Sequence, residues 1–315
     1  MLFESDGWGL KMMNAKAKGF ICGIIAAITY GLNPLGALNL YKDGITVDSV
    51  LVYRYGMAIV VLAGLMLFRR ESFRTGRREL AVCAILGIVF AVSSLAFFSS
   101  FRYMDSGIAC TILFLYPVMV AVIMAVFFKE KVTVFTTLSI VLALAGIGLL
   151  YKGGDGLELS TIGVVLVVIS ALSYAVYIVV VNKSGTDLSP AKLTFFAMLF
   201  GLITVLAHSL FIGENHIQLL TTLPQWLWAA MLAIVPTVVS LILMAVAVKI
   251  VGSTPTAIMG ALEPVTAVAI GVTVFGEAFS LRIALGMFLI LFAVFLIIAE
   301  KPLAYKLFGK NRHSR

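Results

Sequence analysis

Tyr116-Pro117-Val118 runs through an apolar stretch to Phe127-Phe128-Lys129-Glu130, and Glu263-Pro264-Val265 runs through another to Val274-Phe275-Gly276-Glu277. The two passages are copies at a constant separation of 147 positions: Pro117 falls on Pro264, Glu130 on Glu277 and Leu138 on Leu285. The register persists upstream, where Ser93 meets Ser240, Arg102 meets Lys249 and Ser106 meets Ser253. At the start of each copy the offset is 144, setting Gly19, Ile25, Ala27 and Tyr30 on Gly163, Ile169, Ala171 and Tyr174. A duplicated apolar half is the sequence trace of carriers that bind their substrate between two repeats.

Hydrophobic residues make up 62% of the 315-residue chain and charged residues 12%. A soluble domain is about half apolar and a quarter charged, so the composition points to lipid as the main solvent. The formal net charge of +8 does not read as a nucleic-acid surface, because the basic residues fall in short connections between apolar runs. Cys22, Cys83 and Cys110 lie inside apolar runs without paired spacing, which fits small packing residues better than disulfides or metal ligands.

About 20 apolar residues are needed to cross a hydrocarbon core. Ten runs qualify: Gly19–Tyr41, Thr46–Phe68, Leu80–Phe101, Ser106–Phe128, Val134–Tyr151, Ser160–Val181, Pro190–Ile212, Gln225–Val248, Ser253–Phe275 and Leu281–Ala299. The expected organisation is a tail over 1–18, five-helix halves over 19–151 and 160–299, and a basic tail over 300–315. The polar start lacks a small-residue cleavage site, so Gly19 onward reads as a retained span, with Met12 or Met13 as an alternative first residue. The side of the chain that carries the amino terminus holds 18 of the 23 Lys and Arg. The other side holds Lys42, Arg102, Lys152 and Arg282, and Arg54 lies within a span. That asymmetry predicts that both termini are cytoplasmic. Five spans per half then insert the two copies upside down relative to one another, giving an all-α membrane protein of two inverted five-helix repeats.

Ten spans in two such copies, with Pro117…Phe128-Lys129-Glu130 and Pro264…Phe275-Gly276-Glu277 closing each fourth span, resemble the EamA-type transporters of the drug/metabolite transporter (DMT) superfamily. Gly146-Ile147-Gly148 and Arg54-Tyr55 are similar to the same pattern, and the resemblance covers about Gly19 to Ala299. It implies export of small metabolites, such as amino acids, across a bacterial inner membrane. The second copy departs from the first, carrying Phe195-Phe196 where the first has Tyr53-Arg54-Tyr55, so a role for Arg54 is not duplicated.

Two ionisable residues stand well inside spans, Arg54 and Glu263. Each costs on the order of 3 kcal/mol to place at mid-depth, so each needs a partner or a function. Pro264 lacks an N–H and is expected to free the carbonyl of Gly260; a carboxyl beside it would suit an ammonium group or a shuttled proton. Thr256, Gly260, Glu263 and Ala267 form a small, polar stripe at helical spacing. Glu263 is therefore the candidate coupling residue; the plainer alternative is a protonated acid bonded to a neighbouring helix. Tyr116 occupies the matching position in the first copy, so the pair is expected to face one central cavity. Arg54 fits either a substrate carboxylate or an inter-helix tie, since guanidinium offers five donors.

Ala26, Tyr30, Asn33, Pro34 and Ala37 share a face of the first span, and Tyr174 and Tyr177 form the related face of the sixth, with Phe97 and Phe98 adding aromatic surface. The candidate substrate-binding set is thus Tyr30, Asn33, Arg54, Tyr116, Tyr174, Tyr177 and Glu263; bundle packing is the alternative for each. Glu130 and Glu277 read as interfacial caps and ion pairs at the start of the next helix, or else as gates. His208 falls near a span end, with a proton role conceivable, and Gly19 with Gly23 reads as packing within the bundle.

The spans contain no phosphate loop, dinucleotide fingerprint, zinc motif or Ser/His/Asp set, so neither an enzyme nor any cofactor or metal is expected. No arginine array or filter-like segment speaks for a channel. The expected function is secondary transport by alternating access. The expected partners are a small-molecule substrate and membrane lipids, with no nucleic acid, and the chain is expected as a monomer or weak homodimer. An organic-phosphate or nucleotide-sugar exchanger and a non-transporting small-molecule sensor are the alternatives; the former would need more intramembrane Lys or Arg.

Overall fold

A computed structural model of the protein describes residues 5–129, 132–151, 160–186, 188–212 and 216–308, which contain helices and no strand. The first half comprises α1 (Ser5–Tyr30), α2 (Asn33–Lys42), α3 (Val47–Phe68), α4 (Arg77–Ser100), α5 (Ser106–Leu113), α6 (Tyr116–Phe128) and α7 (Val134–Tyr151). The second comprises α8 (Thr161–Lys183), α9 (Pro190–Phe211), α10 (Leu223–Ala233), a π-helical segment (Ile234–Val239), α11 (Ser240–Val251), α12 (Ser253–Met259), α13 (Leu262–Phe275) and α14 (Leu281–Phe308). Among the described residues eight helical stretches are long and apolar enough to cross a membrane, and Val134–Leu150 and Leu262–Phe275 are shorter apolar helices.

Four of the ten expected runs are therefore interrupted at mid-course, and each interruption carries a proline. Pro34, Pro117 and Pro264 sit in the first turns of α2, α6 and α13, and Pro236 lies within the π-helical segment. A proline ring offers no N–H and crowds the carbonyl four residues back, so the incoming helix ends and a new one starts. Side chains take up some of the displaced groups. Asn33 Nδ2 donates to the Tyr30 carbonyl (2.8 Å), the one Pro34 would otherwise strand, and Thr237 Oγ1 donates to the Leu232 carbonyl (2.9 Å) beside the π segment. The Gly260 carbonyl, expected to be free, instead accepts the Glu263 N–H (3.0 Å), because the chain tightens into a short-range turn there.

Close crossings hold the helices together. Ser93 and Ser170 exchange bonds between α4 and α8: Ser93 Oγ donates to the Ser170 carbonyl (3.0 Å) and Ser170 Oγ to the Ser93 carbonyl (2.8 Å). Between α11 and α1, Ser240 Oγ donates to the Ala26 carbonyl (2.9 Å). At α7–α14 a side chain on Gly146 would lie 2.8 Å from the Gly286 carbonyl oxygen. Gly19 and Gly23 face α11 and α12 inside the bundle, as the packing reading expects. Outward, Val60, Leu144 and Phe288 are well exposed, a surface suited to hydrocarbon rather than water.

Candidate functional site

The prolines gather three helix starts at mid-bundle: Asn33 opens α2, Tyr116 opens α6 and Glu263 lies in the first turn of α13. The segment between α1 and α2 is pressed against α13. A side chain on Gly31 would meet the Glu263 carbonyl oxygen at 2.6 Å and Thr266 Cβ at 2.7 Å. Glu263 is within electrostatic reach of Tyr30, Tyr116 and Tyr174, and Tyr30 is also within reach of Arg54. The Tyr116 and Tyr174 rings meet edge to face at 4.7 Å, Tyr174 and Tyr177 stack at 5.8 Å, and Phe90 closes on Tyr177 at 5.5 Å. Tyr55, adjacent through Phe90, donates to Ser94 Oγ at 2.6 Å.

Tyr30, Tyr116, Tyr174, Tyr177 and Glu263 are all half-buried. Of the stripe Thr256, Gly260, Glu263 and Ala267, only Glu263 keeps this accessibility; the other three are buried. Asn33 is 1% exposed, and with its nitrogen given to Tyr30 its Oδ1 has no partner. An unpaired buried amide oxygen is costly and marks a site awaiting a donor.

Arg54 is 2% exposed, with Nε donating to Thr237 Oγ1 (2.9 Å) and the guanidinium 5.0 Å from the Phe98 ring centre. It ties α3 to the π-helical segment, and among the described residues its two terminal NH2 groups have no acceptor. Thr237 carried no signal in the sequence beyond its proximity to Pro236.

Toward the bundle end that carries Asp105, Glu277 does something its sequence position did not announce. Its carboxylate accepts from the Ser106 N–H (2.7 Å), the Ser106 hydroxyl (2.5 Å) and the Gly107 N–H (3.1 Å), capping α5 of the other half rather than the next helix. Ser280 Oγ caps α14 instead, and Arg282 donates to the Leu149 carbonyl (3.1 Å) rather than pairing with Glu277. Burial, and then the nearby Glu277 charge, push the Asp105 carboxyl above its ordinary range. Glu130 lies outside the described residues. His208 Nδ1 meets Asp48 Oδ1 at 2.9 Å, joining α9 to α3. The three cysteines are free and buried.

An all-helical bundle with an apolar exterior and a polar, tyrosine-lined middle is a polytopic membrane protein of the carrier class. The model of the EamA-like transporter family matches residues 17–152 and again 161–299, and the chain belongs to that family, within the drug/metabolite transporter superfamily. It is 28% identical over 269 residues to a protein of Archaeoglobus fulgidus named an uncharacterized transporter, covering 85% of this chain and 94% of that one. It is 24% identical to the uncharacterized transporter YyaM of Bacillus subtilis, over 72% of this chain and 76% of that one. A solved crystal structure superposes with a TM-score of 0.65 at 17% identity, covering 93% of this chain and 99% of the other, a likeness of fold.

Proposed function

We propose that the protein is a secondary exporter of small zwitterionic metabolites, amino acids above all, working by alternating access across the inner membrane with both termini cytoplasmic. The observation that carries this reading is the charge layout around Tyr30, which lies within electrostatic reach of both the Glu263 carboxyl and the Arg54 guanidinium. An ammonium group fits Glu263 and a carboxylate fits the terminal amino groups of Arg54, with the tyrosines walling the apolar part of the solute. Starts of α2, α6 and α13 at mid-depth add the positive ends of three backbone dipoles, which favour a carboxylate. Arg54 alone is too little positive charge for a phosphate-exchanging site.

The two-copy plan supports alternation. Ser93 with Ser170 and Ser240 with Ala26 are equivalent contacts, since Ser93 maps to Ser240 at offset 147 and Ala26 to Ser170 at offset 144. Contacts between α4 and α8 thus recur between α11 and α1, as two interlocked inverted quintets require. Glu263, released by an incoming ammonium, is also the group to carry a coupling proton. The test is counterflow of labelled amino acids in proteoliposomes. Glu263→Gln is expected to lower flux at least tenfold and to remove its dependence on an imposed pH gradient. Full, pH-dependent flux in that variant would rule out the acid as the coupling group.

A further inference from the structure

We infer that Glu277 is a latch that holds the Asp105 face of the bundle shut, and that the cycle must break its bonds to Ser106 and Gly107 to open that face. The inference rests on the carrier reading above. A carboxylate taking two backbone N–H groups and a hydroxyl at a helix start makes charge-assisted bonds on the favourable end of the helix dipole. Asp105, immediately before α5, is a residue type suited to capping, yet its side chain makes no cap; the cap is supplied from the other half of the molecule.

The surrounding backbone is shaped for this contact. Gly276 adopts φ +69°, and the Glu277 N–H returns to the Gly271 carbonyl (2.9 Å), folding the carboxylate back along α13. A side chain on Gly271 would lie 2.0 Å from Glu277 Oε2, and one on Gly107 would lie 2.7 Å from Val268 Cγ2. Two glycines thus clear the way for α13 to close on α5. The first copy ends its equivalent helix in the same left-handed turn, at Lys129 with φ +57°, although a side chain there disfavours it. Yet among the described residues α6 and α12, the pair related to α13 and α5 by the 147-residue offset, make no comparable contact. The helix crossing is thus close in one of the two matched pairs; Glu130, the counterpart of Glu277, lies outside the described residues. An unequal approach of matched helices is what a carrier open to a single side would have.

Cys110, one turn along α5 from Ser106 and 2% exposed, reports on that closure. It lies along the chain between Ser106, which opens α5 at the latch, and Tyr116, which opens α6 at the site, and is within electrostatic reach of both Glu263 and Glu277. In the full chain with Cys22→Ser and Cys83→Ser, a membrane-impermeant maleimide is applied separately to each face of oriented vesicles. From the Asp105 face, Glu277→Gln is expected to raise the labelling rate of Cys110 at least tenfold and Ser106→Ala a few-fold, with slower labelling from the opposite face. Unchanged rates, or equal acceleration from both faces as from simple loosening, would overturn the latch. If Glu277→Gln does not insert, Ser106→Ala decides by the same two outcomes. The labelling needs no substrate. Accelerated labelling in a protein without flux would therefore sink the carrier reading and keep the latch, and flux with unchanged labelling would do the reverse.

Discussion

Arg54 illustrates how one buried charge is accommodated at residue scale. Its Nε reaches Thr237, whose hydroxyl passes the bond on to the Leu232 carbonyl at the π-helical segment. A single hydroxyl therefore serves a buried cation and a backbone oxygen in a region with little water. Thr237→Val keeps the shape and removes both bonds, which is expected to cost about 1–3 kcal/mol through unpaired buried groups. Thr237→Ser retains both and is expected to stay near the parent. Thermal unfolding in detergent compares the pair, and equal midpoints for valine and serine would show that the hydroxyl holds nothing. Glu263 and Arg54 were visible from sequence because ionisable residues are rare in apolar runs. Thr237 was not, because threonine is common in spans and only the three-dimensional path of α10 into α11 brings it to Arg54.

At the scale of elements, the helix breaks do the positioning. Sequence placed Pro34, Pro117 and Pro264 within spans, and the chemistry of proline made interruption foreseeable there. The consequence for each displaced carbonyl was not foreseeable, since side chains and short-range turns compete for it, as Asn33 does at Tyr30 and Glu263 N–H does at Gly260. The target of Glu277 was hidden for a related reason. Local spacing offers the next helix, whereas the fold offers Ser106, a partner 171 positions away. The break at Gly31 also sets how close α1 and α2 come to α13. Gly31→Ala would drive a methyl group into the Glu263 carbonyl and Thr266, backbone on one side and a β-branched side chain on the other. Overpacking of this kind typically costs about 1–3 kcal/mol. Gly56→Ala, where nothing lies within 4 Å of the added carbon, is the matched control. Lower thermal stability and flux are expected for the first and not for the second; parity between them would mean that the crossing is slack.

For the molecule as a whole, the decisive quantity is the parity of spans in each half. An odd number inverts the second copy, puts α13 on α5 at one face and α6 opposite α12 at the other, and makes alternation between matched closures possible. An even number would align the copies in the same sense and leave no such exchange. Length and apolarity alone single out eight spanning stretches, with Val134–Leu150 and Leu262–Phe275 as shorter apolar helices, so parity rests on whether these last two also cross. The basic residues argue that they do: crowding 18 of 23 on one side is obtained only when each of the ten runs reverses the chain. Alkaline phosphatase, which folds only outside the cytoplasm, and green fluorescent protein, which fluoresces only inside when exported unfolded, read this directly. Inserted in the 152–159 connection, the phosphatase is expected to be active and the fluorescent protein dark; after Arg315 the two signals are expected to reverse. The same signals at both positions would give the second half, and with it the copy it matches, an even number of spans, and the inverted arrangement that links Glu263, Arg54 and the Glu277 closure in one cycle would fall.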